Sequence, residues 1–322
     1  MNLEAILSPI ENDLPLVSAN LRTVAEVDFP QFAEVIKQAI GSRGKGVRPA
    51  LTLLAGKFNR FNLEYLIPMS TAVELLHTAS LVHDDTIDKS PLRRGLPTIH
   101  STLGDNAAIM AGDYLFAKSA ELAAIPGNLK VVRLFARTLM ALAKGELEET
   151  LTLYDWHQSR KDYFQRIDGK TAALFAMATE SGAILSDSHE SQIQALKDYG
   201  HNLGLAFQVV DDLLDFISDE GTMGKPVGND LLLGVMTLPS LIYLEQNFDG
   251  NPIKQGFENK GKGNDLAQAV ADIQNSPLII EESFAVARGL VEDAKKAIEP
   301  LPDNDAKKAL LTLADYVFER NK

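Results

Sequence analysis

Two acidic clusters with the same spacing constrain this chain more than any other feature. Asp84-Asp85-Thr86-Ile87-Asp88 and Asp211-Asp212-Leu213-Leu214-Asp215 each close an apolar run, residues 75–82 and 203–210. On a helix, Asp84 and Asp88 stand one turn apart on one face, with Asp85 at its flank. Like charges so placed destabilise a helix by roughly 0.2–0.5 kcal/mol per pair. A hard divalent cation would offset that cost. A single D-D-x-x-D is most often a solvated helix face. Two copies, each following an apolar run and so adjoining a core, favour facing helices whose six carboxylates converge. Oxygen-only ligation suits Mg²⁺ or Mn²⁺, and Mg²⁺ usually binds through one or two carboxylates plus substrate phosphates. The pattern therefore predicts a phosphorylated ligand without naming it.

The remaining chain is patterned almost wholly at the helical period, and alternating β-branched runs are absent. Residues 32–40 read as a helix ending at Gly41, followed by the basic, glycine-rich loop Gly41-Ser42-Arg43-Gly44-Lys45-Gly46. Arg48-Pro49 opens a helix. Pro68 starts the next, which runs to Asp88 and is ended by Pro91 and Gly95, with a loop to about Gly104. Helices follow at 105–125, from the cap Asn128 to about 153, and at 161–168, 170–185 and 193–217. A glycine-rich segment spans 221–230, and 236–246 is helical. The tail adds three more helices after a loop at 247–264. No composition shift or linker divides the chain. The expectation is one all-α domain over residues 1–322.

Composition closes off several functions. Acidic residues outnumber basic ones 44 to 31, for a net charge of −13, which argues against binding nucleic acid or an anionic membrane face. With no cysteine, disulfides, thiolate metal sites and a cysteine nucleophile are excluded. The N-terminus lacks a basic signal-peptide region and soon carries Glu11 and Asp13. No apolar run reaches the ~20 residues of a membrane span. The expected location is the cytoplasm.

Basic residues cluster where an anion would be received. Arg93-Arg94 follows the first acidic cluster and Lys225 the second. Lys45 and Arg48 flank the early glycine loop, and Lys170-Thr171 follows Gly169 at a predicted helix start. Each alone is the profile of a surface cation; their placement at loops and helix starts, where backbone N–H groups favour anions, strengthens the joint case. His77 lies two turns before Asp84 on roughly the same face. His83-Asp84 has the form of a phosphohydrolase metal dyad, but no matching upstream histidine pair accompanies it.

In family order, residues 41–240 resemble the trans-isoprenyl diphosphate synthases, or polyprenyl synthetases. The first aspartate-rich region is matched by residues 74–88 with Arg93-Arg94-Gly95 and Ala111-Gly112-Asp113-Tyr114. The second is matched by residues 207–215 with Gly224-Lys225 and Gly228-Asn229-Asp230-Leu231. Gly44-Lys45-Gly46-Val47-Arg48-Pro49 and Gly169-Lys170-Thr171 resemble the early and mid-chain basic motifs. The resemblance implies a bundle of ten or more helices around a deep central cavity (the isoprenoid synthase fold), assembled as a homodimer. It implies three Mg²⁺ ions, or Mn²⁺, held by Asp84, Asp85, Asp88, Asp211, Asp212 and Asp215. Arg93, Lys170, Thr171, Gln208 and Lys225 would contact an allylic diphosphate, with Lys170, Thr171 and Gln208 as catalytic contacts. Lys45, Arg48, His77 and Arg94 would hold isopentenyl diphosphate. Two positions depart from the family pattern by losing positive charge: Gly46, often arginine, and Val235, often lysine.

The implied reaction is head-to-tail condensation. Loss of diphosphate builds negative charge that fixed cations stabilise, the allylic cation is shielded in a dry cavity, and released diphosphate takes the proton. Short-chain members carry bulky aromatics at the fourth and fifth positions before the first motif, whereas here stand Ser80 and Ala79. Position 79 lies about 7.5 Å along the helix from Asp84, so the open wall predicts products of C20 or longer, ended deeper down by Leu76 or Phe116. Other readings are a C15 synthase, a terpene cyclase, which usually carries an Asn/Ser/Glu second motif, and a non-catalytic modulating subunit, which typically loses one cluster.

Overall fold

A computed structural model describes residues 2–41, 44–218, 226–246 and 250–319. The chain opens with α1 (Leu3–Ile6), α2 (Leu14–Thr23), α3 (Pro30–Gly41), α4 (Val47–Gly56) and α5 (Leu63–Ile87). A two-stranded hairpin, β1 (Leu92–Arg93) and β2 (Leu96–Pro97), leads to α6 (Ile99–Leu103), α7 (Asp105–Ala124) and α8 (Leu129–Leu151). Then come α9 (Arg160–Ile167), a π-helical turn at Asp168–Ala172, α10 (Ala173–Leu185) and α11 (Glu190–Ile217). The later helices are Asn229–Leu232, Leu238–Gln246, Pro252–Glu258, Asp265–Gln274, Pro277–Ala297 and Asp305–Glu319. No described helix is long and apolar enough to cross a membrane.

The centre of the bundle is α5. It is apolar all round, as a helix surrounded by others must be, and Leu66, Met69, Val73, Leu75 and Leu76 are fully buried. Burial of each such side chain stabilises by roughly 1.5–3 kcal/mol. That gain explains one departure from the expected boundaries. Pro68 does not start this helix but lies inside it, with Asn62 as the N-cap accepting from the Glu64 N–H at 3.0 Å. The capped first turn and buried flank outweigh one lost backbone bond.

Around α5 pack α7, α4, α2 and α10; α10 in turn lies on α4, α8 and α11, and α11 on Pro277–Ala297. Two apolar cores result. One gathers α2, α4, α5, α7, α8, α10 and the first half of α11. The other surrounds the second half of α11 with Leu238–Gln246, Pro252–Glu258 and Asp265–Gln274. Both α11 and Pro277–Ala297 feed the two cores, Leu203 and Val291 on one side, Val210 and Ile279 on the other.

Two differences from the sequence expectations bear on the site. Residues 91–104 are not a plain loop: Leu92 pairs with Pro97 and Arg93 with Leu96. The turn between them has Arg94 at φ 53° and Gly95 at φ 77°, the positive-φ pair a tight hairpin requires. Second, Lys170-Thr171 is not at a helix start. The π turn joins α9 to α10 as one continuous rod, so no free helix N-terminus is available there. The extra residue of a π turn arises where α8 presses close. A Cβ at Gly145 would stand 2.6 Å from the Lys170 nitrogen, and one at Gly169 would stand 2.8 Å from the Ala141 oxygen.

Candidate active site

The C-terminal ends of α5, α8 and α11 meet the π turn around a polar cavity of about 370 Å³. Asp88 enters it from α5, Glu149 from α8, Arg166 from α9, Lys170 from the π turn, and Gln208 and Asp212 from α11. Both acidic clusters thus reach one space. A second, more apolar cavity of about 340 Å³ lies beside it, lined by Ser80, Asp84, Phe116, Leu142 and Leu147 among others. Lys170 lines both. A diphosphate in the first cavity would have its hydrocarbon tail directed into the second.

Lys170 lies 2.5 Å from Glu149 and 3.0 Å from Glu146. Burial works against its charge, but Glu149, Glu146 and Asp84 overcome it and raise its pKa. Burial raises Glu146, with Lys170 pulling the other way. Asp84 is pushed up to about 7, by burial first and then by Glu146 and Asp88, against Lys170 and Arg93. Asp212 is also pushed up to about 7 by burial, and Asp211 adds to it, although Tyr163 and Gln208 donate to it at 2.6 and 2.7 Å. Thr171 donates to Gln208 at 2.6 Å. A chain of hydrogen bonds therefore links Thr171, Gln208, Asp212 and Tyr163 and orients the Gln208 amide.

The first cluster divides its work. Arg93 grips Asp85 through Nε at 2.8 and 2.9 Å and its terminal nitrogen at 2.7 Å, a bidentate pair. The Asp230 N–H donates to Asp215 at 3.1 Å, so the second cluster also fixes the segment after it. Asp211 is exposed. Lys225 lies outside the described residues. His83 is engaged with α7, 3.1 Å from the Ile109 carbonyl and 3.7 Å from Asp113, which leaves no phosphohydrolase-type dyad.

Three of the residues expected to hold the second diphosphate, Arg48, His77 and Arg94, lie near one another. Arg94 packs on the early loop, where a Cβ at Gly44 would stand 2.8 Å from its guanidinium. Arg48 lies 4.7 and 5.7 Å above the rings of Phe175 and Phe207, a cation–π seat. Burial holds the His77 pKa well below its usual value, aided by Arg48, Arg94 and Arg93. Those three arginines therefore set one positive field around a neutral imidazole. Lys45 stands apart, donating to the Tyr316 hydroxyl at 2.8 Å. Gly46 caps α4 at φ 67°, a backbone that an arginine would adopt only with strain.

The two chain-length positions separate. Ser80 lines the apolar cavity, as does Phe116. Ala79 and Leu76 are fully buried in the core and are not part of the cavity wall. Glu146, Glu149, Tyr163 and Arg166 were not foreseen. Glu146 and Glu149 follow Gly145 at helical spacing, a signal that the length and polarity of α8 hide.

No three His, Asp or Glu side chains among the described residues stand close enough to hold a metal. The donor chemistry nonetheless fits one. The polar cavity carries Asp88, Glu149, Asp212 and Asp230 against Lys89, Arg166 and Lys170; a bare diphosphate would meet net negative charge. A hard cation arriving with the diphosphate, held by a carboxylate or two and by phosphate oxygens, resolves the conflict.

Residues 29–273 match the family model described as polyprenyl synthetase. The chain belongs to the polyprenyl synthetase family. It is a prenyltransferase with the isoprenoid synthase fold, and its similarities extend from end to end. It is 35% identical over 323 residues to heptaprenyl diphosphate synthase component 2 of Geobacillus stearothermophilus, covering 100% of each chain. The crystal structure of a decaprenyl diphosphate synthase from Rhodobacter capsulatus superposes with a TM-score of 0.92 at 34% identity, covering 100% of each chain. A polyprenyl synthase from Caulobacter crescentus, crystallised with calcium and isoprenyl diphosphate, gives 0.93 at 30% identity, covering 100% of this chain and 98% of that one. As a polyprenyl synthetase, the chain acts on isoprenyl diphosphates.

Proposed function

We propose that this polyprenyl synthetase is a single catalytic domain that condenses isopentenyl diphosphate head-to-tail with an allylic diphosphate, giving an all-trans product of C20 or longer. The observation that carries the reading is Lys170, which lines both the polar cavity with its two acidic clusters and the apolar cavity that starts at Asp84 and Ser80. Asp84, Asp88, Asp211 and Asp212 would hold Mg²⁺, three ions per site by family pattern, with Asp85 and Asp215 anchoring their surroundings. Bound there, the metal neutralises charge on the leaving diphosphate.

The protein's own groups do the rest. Lys170, with Arg93, places fixed positive charge where the C–O bond breaks. Thr171 fixes the Gln208 carbonyl oxygen by donating to it, and that oriented amide dipole faces the allylic cation. Arg48, Arg94 and neutral His77 hold the second diphosphate, so that its double bond attacks the cation. The proton lost from the isopentenyl unit passes to the released diphosphate. Ser80 leaves the channel wall open, and Phe116 stands across it.

The functional unit is a homodimer working in the cytoplasm. The outer face of α8 carries Leu129, Val132, Met140, Leu147 and Leu151, all exposed, with Ala136 and Ala143 between them. This run is near-palindromic about Met140: Leu129 mirrors Leu151, Val132 mirrors Leu147, and Ala136 mirrors Ala143. A two-fold interface requires such self-complementarity. It also brings Arg133 of one copy opposite Glu148 of the other.

A direct test is turnover of isopentenyl diphosphate with an allylic primer, with and without chelator. Asp84→Asn should keep the helical fold and lose most turnover. Full activity in that variant, or in excess chelator, would place the chemistry elsewhere.

A further inference from the structure

The polar cavity has a wall that the reaction outlined above does not use. Arg166 on α9 and Thr237, just before helix Leu238–Gln246, both line it and are only 3% and 2% exposed. Arg166 donates to Gln158 at 2.8 Å and to the Met236 carbonyl. Among the described residues its Nε has no hydrogen-bond partner, with Glu149 standing 3.7 Å away, and the Thr237 hydroxyl has none either. Because Arg166 is bonded to Met236, these two orphaned donors are neighbours, joined through the backbone residue before Thr237.

Buried donors without acceptors are rare in a folded chain and call for an explanation. A packing role does not supply one here. An arginine used only to tie α9 to residue 236 needs its terminal nitrogens and not Nε, and valine would fill the place of Thr237 without an orphan. Both atoms are closed to water in this conformation, as catalytic contacts often are until a ligand draws them in. Val235, in the same wall, stands where polyprenyl synthetases often have lysine. The cavity thus lacks a cation at one position of its wall and has a buried one on the element packed against it.

We infer that Arg166 and Thr237 form the floor of the allylic diphosphate site, with the guanidinium supplying from α9 the charge that Val235 lacks. The inference rests on the polar cavity being the diphosphate site. Arg166 Nε and the Thr237 hydroxyl donate to oxygens of the leaving diphosphate, and the guanidinium carries part of the charge that develops there. The isopentenyl diphosphate pocket around Arg48 and His77 is not involved.

Inorganic pyrophosphate with Mg²⁺ is the probe, read by the rise in unfolding temperature it induces, alongside KM for each substrate. Thr237→Val keeps the shape and removes the orphaned hydroxyl. It should leave the ligand-free unfolding temperature unchanged or higher, shrink the pyrophosphate-induced rise, and increase KM for the allylic substrate about tenfold, with KM for isopentenyl diphosphate unchanged. Arg166→Met should weaken pyrophosphate binding more strongly, and adding Val235→Lys to that variant should restore it. Wild-type pyrophosphate response and wild-type allylic KM in Thr237→Val would overturn the inference, whether or not Arg166→Met folds. So would a loss in Arg166→Met that Val235→Lys does not recover. A wild-type protein that pyrophosphate fails to stabilise would instead remove the functional reading beneath it.

Discussion

Lys170 donates to Glu149 at 2.5 Å across the gap between the π turn and α8, at the boundary of the polar and apolar cavities. Glu146 holds the same ammonium from the next position of that helix face. The pair offsets the pull of burial against the Lys170 charge. Lys170→Gln should therefore retain helicity by circular dichroism while kcat falls on the order of 100-fold or more, the scale of removing one fixed charge-stabilising donor. Unchanged kcat would mean that Lys170 only balances two glutamates.

Ser80 and Ala79, adjacent in sequence, should behave oppositely. Ser80→Phe projects a ring into the apolar cavity and should shorten the product. Ala79→Phe overpacks the core and should destabilise by about 1–3 kcal/mol. Product mass and urea unfolding of both variants separate the two outcomes. A shortened product from a stable Ala79→Phe protein would show that the channel passes on the other side of α5.

Arg94 sits at φ 53° in its hairpin turn, a conformation costing a non-glycine residue roughly 1–2 kcal/mol. Arg94→Asn suits the turn better but removes the guanidinium proposed to hold isopentenyl diphosphate. Thermal stability should hold or rise, while KM for isopentenyl diphosphate climbs at least tenfold. Equal KM values would place that substrate away from Arg94.

His77 supplies a pH signature. Its pKa in the fold is lowered by burial and by Arg48, Arg94 and Arg93, so the unfolded chain takes up the proton first. Stability is complete above the unfolded value near 6.5 and is lost as pH falls toward the lower folded value, by up to about 1.4 kcal/mol per pH unit. In His77→Gln that part of the pH dependence should vanish between pH 7 and 5. An identical slope in both proteins would show that His77 is not held neutral.

Leu147→Glu places charge within the self-complementary α8 face. Sedimentation should show dimer in the wild type and monomer in the variant. A wild type that sediments as a monomer would reassign that face to a different partner.

Much of this arrangement was legible in the residues. Both aspartate clusters end long helices as their spacing implies, and Asp88 and Asp212 line one cavity. The helical period located α7, α8 and α11 to within a few residues. What escaped detection depends on contacts between distant segments. The π turn at Lys170 exists because Gly145 and Gly169 let two helices touch, which no local pattern of residues records. Glu146 and Glu149 carry no local mark of function on α8 until Lys170 is brought to them. Pro68 has a local preference for a helix start, whereas the Asn62 cap and the buried face of α5 decide the boundary. Ala79 and Ser80 are equally small, and only the packing of α5 shows which of them meets the cavity.

The central claim is that one cavity ionises an allylic diphosphate and the next accepts a growing chain. Mass analysis of the products formed from isopentenyl diphosphate, Mg²⁺ and a short allylic primer tests it most directly. The account predicts a ladder of polyprenyl diphosphates ending at C20 or longer. A single C15 product, or primer consumed without addition of any isopentenyl unit, would contradict it.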